Sequence, residues 1–293
     1  MNGKNHIIDI DFFRQLDRFT FMVRKRVSTA YAGSRRSIHS GRGIDTVGYR
    51  EYNPGDELKS IDWNVYARSE KLYVRQFEEE KSLTTHILLD ASKSMDYSSH
   101  KVSKFEYGAR LAAGFAYLVT KDNDKFAIST FAEDVNISNP RRGRQYLIRT
   151  IDRLSETKLE GTTETNECVT KYGRMIRSRS LVLIISDFLD ELESIESAIY
   201  RLADHDLILI QVLDKTESIL TLHGDMKLKD LETGNELKTY VSENFKAEYQ
   251  KQLEAHINRI RKTCDRVGAE FYTFTTDVPV FDAFFNTISR RRW

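Results

Sequence analysis

The sequence predicts an α/β protein: a doubly wound, mainly parallel sheet with an N-terminal arm before it and a β-ribbon inserted into it. Three observations predict this. From residue 84 onward, short apolar runs alternate with longer amphipathic ones. Four of the five short runs are nearly continuously apolar, as strands are when helices cover both faces of a parallel sheet. Among them, "HILLD" and "LVLIISD" run straight into the aspartates Asp90 and Asp187.

Taken in order, "IDIDFFRQLDRFTFMVRKRV" fits one amphipathic helix with Ile10, Phe13, Leu16 and Phe21 on its apolar side. A loop of Gly, Ser and Arg follows. In "GYREYNPGDELKSIDWNVYARSEKLYVRQFEEEKS" the "NPGD" is a turn and "KLYVRQFEE" alternates like a strand. The strands of the main sheet are "HILLD" at 86, "FAISTF" at 126, "LVLIISD" at 181, "LILIQVLD" at 207 and "AEFYTFTTD" at 269. Between them, "SKFEYGARLAAGFAYLVTKD" spaces Phe105, Leu111, Phe115 and Leu118 one or two turns apart behind an N-cap at Ser103. "RQYLIRTIDRLSE", "ELESIESAIYRLADHD" and "ENFKAEYQKQLEAHINRIRKTCDRVG" keep the same period, the last ending at Gly268 as a helix C-cap does. "ILTLHGDMKLKDLETGNELKTYV" breaks the pattern with alternation around a "TGN" turn, the ribbon. The expected division is residues 1–83 as an arm packing on the main domain, and 84–293 as the main domain, with the ribbon at about 219–241.

Bulk properties narrow the function classes. The chain has 293 residues, 40% hydrophobic and 30% charged, with a net charge of +1 that gives no overall case for nucleic acid. Residues 21–50 hold seven Lys or Arg against the single acid Asp45, so a basic arm reading nucleic acid, through Arg24, Lys25, Arg26, Arg35, Arg36 and Arg42, is an alternative; lacking interleaved aromatics it is disfavoured. The two cysteines, Cys168 and Cys264, have no metal-ligand neighbours at zinc spacings, and no run approaches the roughly 18 apolar residues of a membrane span. A cytoplasmic protein without a membrane span is expected. The scattered His86, His205, His223 and His256 read as structural, and with no glycine-rich phosphate loop ATP binding by this chain is not expected.

The chemistry gathers in "LLDASKSM". In an open parallel sheet, ligands collect outside the carboxyl ends of strands, so Asp90 and Asp187 meet at one rim. A hard cation such as Mg²⁺ takes about six oxygens at roughly 2.1 Å and accepts neutral ones beside few carboxylates. Ser92 and Ser94 supply hydroxyls behind Asp90, and "LEGTTET" supplies more at Thr162, Thr163 and Thr165. Thr163 is preferred, with Thr162 kept open. The plainer reading has Asp90 capping the next turn while the serines begin a helix. A metal-dependent phosphatase or hydrolase is a second alternative, since such enzymes also end a first strand in Asp beside Mg²⁺. They need a carboxylate two residues on, where this chain has Ser92. Asp190 and Glu191 fit the start of the next helix.

This D-x-S-x-S, distal Thr and distal Asp set resembles the metal-ion-dependent adhesion site of von Willebrand factor type A domains. The resemblance implies that Ser92, Ser94 and Thr163 hold Mg²⁺, Mn²⁺ or Ca²⁺ through hydroxyls. Asp90 and Asp187 would act directly or through water, and the last position would be left for a partner's Asp or Glu. A longer stretch, "REYNPGDELKSIDWNVYARSEKLYVRQFEEEKS" followed by "LLDASKSM", together with "KDLETGNELKTYV", is similar to the bacterial family known as domain of unknown function fifty-eight. That likeness runs from about residue 40 to 275, departing at Lys59, where an arginine is common, and at Thr162, where a glycine is usual. It implies a non-enzymatic adaptor or co-chaperone for a MoxR-type AAA+ ATPase or its client. In the arm, Arg50, Gly55, Asp56, Asp62, Trp63 and Arg68 are expected to turn, pair and pack it onto the sheet, with Arg50, Asp56, Asp62 and Arg68 as candidate partner contacts.

Overall fold

The computed structural model describes residues 14, 15, 17, 38–39, 46–56, 58–78, 84–232 and 234–290. They fall into two compact units, one within Arg18–Ser82 and one from Met1–Asp17 with Leu83–Trp293. Apart from Arg14, Gln15 and Asp17, which are helical, the expected N-terminal helix lies outside the described residues, as do the basic residues from Arg24 to Arg42.

The smaller unit is an antiparallel sheet of β1 (Ile38–His39), β2 (Thr46–Glu51) and β3 (Tyr73–Glu78) in the order β1-β3-β2, with the short helix α1 (Trp63–Ser69) between β2 and β3. The Asn53–Asp56 turn closes as read: Asp56 N–H donates to the Asn53 carbonyl at 3.1 Å, and Gly55 supplies a φ of 113° that side chains disfavour. Arg50 grips Asp56 through two hydrogen bonds of 2.7 Å, and Asp62 caps α1 by accepting from Asn64 and Val65 N–H. These pairings therefore lie within the arm. Arg68 is exposed. Trp63 corrects the expectation of a ring packed on the sheet: it is 58% exposed and meets Tyr66 edge-on, whereas Ile61 and Val74 are buried. Opening a helix just after its cap, Trp63 lies outside the strand alternation that selects Val74.

In the larger unit, β4 (Thr85–Asp90), helix α2 (Lys104–Lys121), β5 (Phe126–Phe131), β6 (Val135–Asn136), α3 (Arg144–Ser155), α4 (Thr165–Gly173), β7 (Leu181–Ser186), α5 (Leu192–Arg201), β8 (Asp206–Leu213) and α6 (Lys215–Ser218) follow one another. The ribbon β9 (Gly224–Lys229) and β10 (Glu236–Val241), then α7 (Glu243–Val267), β11 (Glu270–Thr275) and α8 (Val280–Arg290) complete it. The six-stranded sheet has the order β11-β8-β7-β4-β5-β6, parallel except for β6, and the ribbon is a separate antiparallel pair. Ser103 and Gly268 cap α2 and α7 as read. The strand pair β6 and the helix α8 go beyond the sequence reading, β6 being too short to show a period.

Strand alternation sorts the core. Leu88, Val182, Ile184, Leu207 and Leu209 join Val169, Ile195, Ile199 and Ile260 in one cluster with α4, α5 and α7. On the opposite face α2 approaches so closely that a Cβ at Gly108 would stand 2.9 Å from Leu89 Cδ1, and one at Gly114 would stand 2.9 Å from the Phe284 ring of α8. Helices thus cover both faces. Among the described residues no helix is long and apolar enough to cross a membrane. Trp63→Ala is expected to change stability by less than about 0.5 kcal/mol, whereas Leu183→Ala, in the sheet centre, is expected to cost about 2–5 kcal/mol; urea melts of the two variants check the contrast.

Candidate functional site

Three neighbouring strands end in aspartate. Asp90 closes β4, Asp187 follows β7 and Asp214 follows β8, and because β8, β7 and β4 are adjacent and parallel, all three acids stand at one rim. Each lies out of water, and each is held differently.

Asp90 is 0% exposed. One carboxylate oxygen accepts the Ser92 N–H at 2.8 Å and the other accepts the Ser186 hydroxyl at 2.6 Å, tying the ends of β4 and β7 together. Burial and the neighbouring charge of Asp187 push its carboxyl above the usual range, against the opposing pull of those hydrogen bonds. Ser94 gives its one proton to Asp187 at 2.8 Å, so in the Ser92–Ser94 pair, 3.1 Å apart, Ser94 accepts. Lys104, from the first turn of α2 and 0% exposed, donates to the same Asp187 oxygen at 2.8 Å and to Glu217 at 2.7 Å. Burial alone would lower the lysine; the two carboxylates outweigh it and raise it. Burial also raises Glu217, against Lys104.

Asp214 secures this arrangement from behind. It forms a capping box with Glu217 on α6, and it accepts from Ser99 N–H, the Ser99 hydroxyl, Thr216 N–H and the Thr216 hydroxyl. Burial would raise its carboxyl, but the donors of Ser99 and Thr216 prevail and bring it down to about 2. The threonine loop is tied to the serine loop by Lys93 N–H on the Gly161 carbonyl at 3.1 Å, and to β5 by Glu164 N–H on the Ala132 carbonyl. There the Thr163 hydroxyl donates to Glu232 at 2.9 Å and its N–H donates to the other Glu232 oxygen at 3.2 Å. Beyond Asp187 the chain turns through Phe188 at φ 47°, its amide on Ser186, its carbonyl on His256 at 2.6 Å, and the Asp187 carbonyl on Gln211.

Ser94, Lys104, Thr163, Asp187, Glu217 and Glu232 all border one cleft of about 760 Å³, with Asp90 and Ser92 buried beneath it. The structure thus brings Ser94, Thr163 and Asp187 to one opening, with Asp90 and Ser92 in the same network. Thr163 borders the cleft, and Thr162 is not among its lining residues. The turn-capping expectation for Asp90 also holds, through Ser92 N–H and the short 3₁₀ turn Lys93–Asp96. Asp190 borders the cleft too, and Glu191 stands at the start of α5. Arg50, Asp56, Asp62 and Arg68 belong to the smaller unit. Lys104, Ser186, Asp214, Glu217 and Glu232 are residues the sequence reading missed. "LILIQVLD" ends in an acid like its two neighbours, and "DKTE" spells a capping box, so Asp214 and Glu217 left a local signal. Lys104 and Glu232 left none, because their partners lie 83 and 69 residues away.

Does this donor set suit a divalent ion? Among the described residues no three His, Cys, Asp or Glu side chains converge as a metal cluster, so an ion here would rest on hydroxyls beside carboxylates. The hydroxyls fit. Ser94 and Thr163 turn their protons onto carboxylates, which leaves a cation one lone pair on Ser94, the other accepting from Ser92, and the lone pairs of Thr163. Asp187, Asp190, Glu217, Asp230 and Glu232 line the cleft against Lys104, Lys227 and Lys229, which leaves acid in excess.

Lys104→Met strands Asp187 and Glu217 without their cation, and urea melts are expected to show a loss of about 3–5 kcal/mol. For Asp214 the sign follows from its depressed acidity: an unfolded Asp titrates near 3.9, so its stabilisation is complete above about pH 4 and is lost as pH falls through about 2. Asp214→Asn is expected to be less stable than wild type at pH 7 and to show a flatter stability profile between about pH 4 and 2, read by denaturant melts across that range.

An uncharacterised protein of Mycobacterium tuberculosis strain H37Rv is 25% identical over 259 residues, covering 87% of this chain and 82% of its own. YeaD of Bacillus subtilis strain 168, also uncharacterised, is 23% identical over 47% of this chain and 33% of its own. Among solved structures, the conserved hypothetical protein BatB from Bacteroides thetaiotaomicron aligns with a TM-score of 0.44 at 16% identity, over 71% of this chain and 98% of its own. An aerotolerance-related membrane protein from Bacteroides fragilis aligns at 0.41 and 14% identity, over 71% and 100%. The profile described as protein of unknown function DUF58 matches residues 48–259, most of the chain and every residue of the rim network, and the chain belongs to that family.

Proposed function

We propose that the larger unit is a von Willebrand factor type A-like module that binds a divalent cation, Mg²⁺, Mn²⁺ or Ca²⁺, and uses it to capture an acidic side chain of a partner protein. The observation that carries this reading is the direction of the hydroxyl protons. Ser94 donates to Asp187 and Thr163 donates to Glu232, so Ser94, which also accepts from Ser92, keeps one lone pair and Thr163 keeps its own beside one cleft. In this reading Ser92, Ser94 and Thr163 hold the ion through neutral oxygens, with Asp187 beside them and Asp90 orienting the loop from below. When bound, the ion supplies a positive centre that favours a carboxylate over water.

The placement of Asp90 favours a binding role over hydrolysis. It has no exposed surface, which leaves it no approach to a phosphoester. The fitting partner is a protein, and the resemblance in the arm makes a MoxR-type AAA+ ATPase, or that ATPase's client, the candidate. Calorimetry with Mn²⁺ is expected to give at least tenfold weaker binding for the Ser92→Ala, Ser94→Ala double variant than for wild type, on the order expected when two ligands are lost. In a pull-down with such an ATPase, EDTA or the double variant is expected to abolish capture; capture that persists in both rejects the metal-mediated reading.

A further inference from the structure

The ribbon turns its own acid into the cleft. Beyond β9, Asp230 N–H donates to the Asn235 carbonyl at 2.8 Å and Gly234 N–H donates to the Asp230 carbonyl at 3.0 Å. The Asp230 side chain accepts the Glu232 N–H at 2.9 Å, and Gly234 takes a φ of 73° that permits the tight return. Beside this local network Glu232 reaches the loop before α4. Both carboxylate oxygens are then engaged by one residue, Thr163, through its hydroxyl and its N–H. An ordinary surface glutamate on a hairpin tip is solvated. This one is half-buried, held at two points, and borders the same cleft as Ser94 and Asp187.

We propose that Glu232 is an internal carboxylate ligand of the divalent-ion site: the ribbon places in the cleft, from within the chain, the group that an acidic partner would bring, so ribbon and partner compete for one position. The inference rests on the metal reading above and deepens it. Its chemistry is consistent at Thr163, where donating the hydroxyl proton to Glu232 leaves the oxygen free toward a cation on its other side. A hard cation takes carboxylate oxygen readily, and a carboxylate already held by the protein binds with less loss of freedom than one arriving from solution. The rest of the ribbon suits a part that can yield. Of the strand residues in β9 and β10 only Val241 is buried, and the pair stands apart from the main sheet. A lone hairpin is marginally stable by itself, so its anchors decide where its tip rests.

Mn²⁺ titrations read by water-proton relaxation test this, because relaxation reports how many exchangeable waters the bound ion keeps. The comparison uses the full chain as wild type, as Glu232→Gln and as Glu236→Gln, the last altering an acid of the same ribbon that pairs with Lys227. Glu232→Gln is expected to bind Mn²⁺ about tenfold more weakly, with higher relaxation per bound ion. Added acetate, a free carboxylate probe, is expected to lower that relaxation in Glu232→Gln while leaving wild type and Glu236→Gln unchanged. If Mn²⁺ binds wild type and Glu232→Gln with equal affinity and equal relaxation, the internal-ligand inference is overturned while the metal site stands. If Mn²⁺ binds none of the three, the metal site falls and the inference with it.

Discussion

Everything at the rim follows from one constraint: three carboxylates are buried side by side at the ends of parallel strands, and none can stay there without donors. A buried carboxylate lacking partners is costly by several kcal/mol. The chain meets the requirement in three ways. Asp90 takes a backbone amide and a serine from the next strand, Asp187 takes a serine and a buried lysine, and Asp214 takes the amides and hydroxyls of two loops. Each solution recruits a different segment, so the loops after β4, β7 and β8 are fixed by the same acids that they enclose. The cleft is the space left above them.

Lys104 gives the arrangement its electrostatic character. A lysine with no exposed surface, shared between Asp187 and Glu217, acts as a built-in counter-ion. It joins α2 to α6 through a partner, Glu217, that lies 113 residues away in sequence. Lys104 reaches both of its carboxylates only when both elements are in place, and the site is coupled to the fold on either side of it.

How much of this was legible in the sequence depends on the range of each interaction. The strands could be read because burial on both faces forces continuous apolar runs, and the caps at Ser103 and Gly268 because each acts within a few residues. Asp90, Ser92 and Ser94 lie within five residues, and their spacing alone marked them. Trp63 misled, since a large aromatic ring suggests burial while its position at the start of a short helix turns it outward. Glu232 had nothing to mark it: a glutamate in a turn is ordinary, and its meaning comes from a threonine 69 residues earlier.

Phe188 adds a mechanical element. A bulky residue at φ 47° stores on the order of 1 kcal/mol or more of backbone strain, and such a conformation persists only where the surroundings over-determine it. Here they do so by a buried ring, an amide on Ser186, and a carbonyl on His256 in the 25-residue helix α7. The Asp187 carboxylate is thus mounted on a loaded joint whose latch is a histidine of another element. Any displacement of that carboxylate works against the latch, and the latch sits at the middle of a helix whose Leu253 and Ile260 are buried on either side of it.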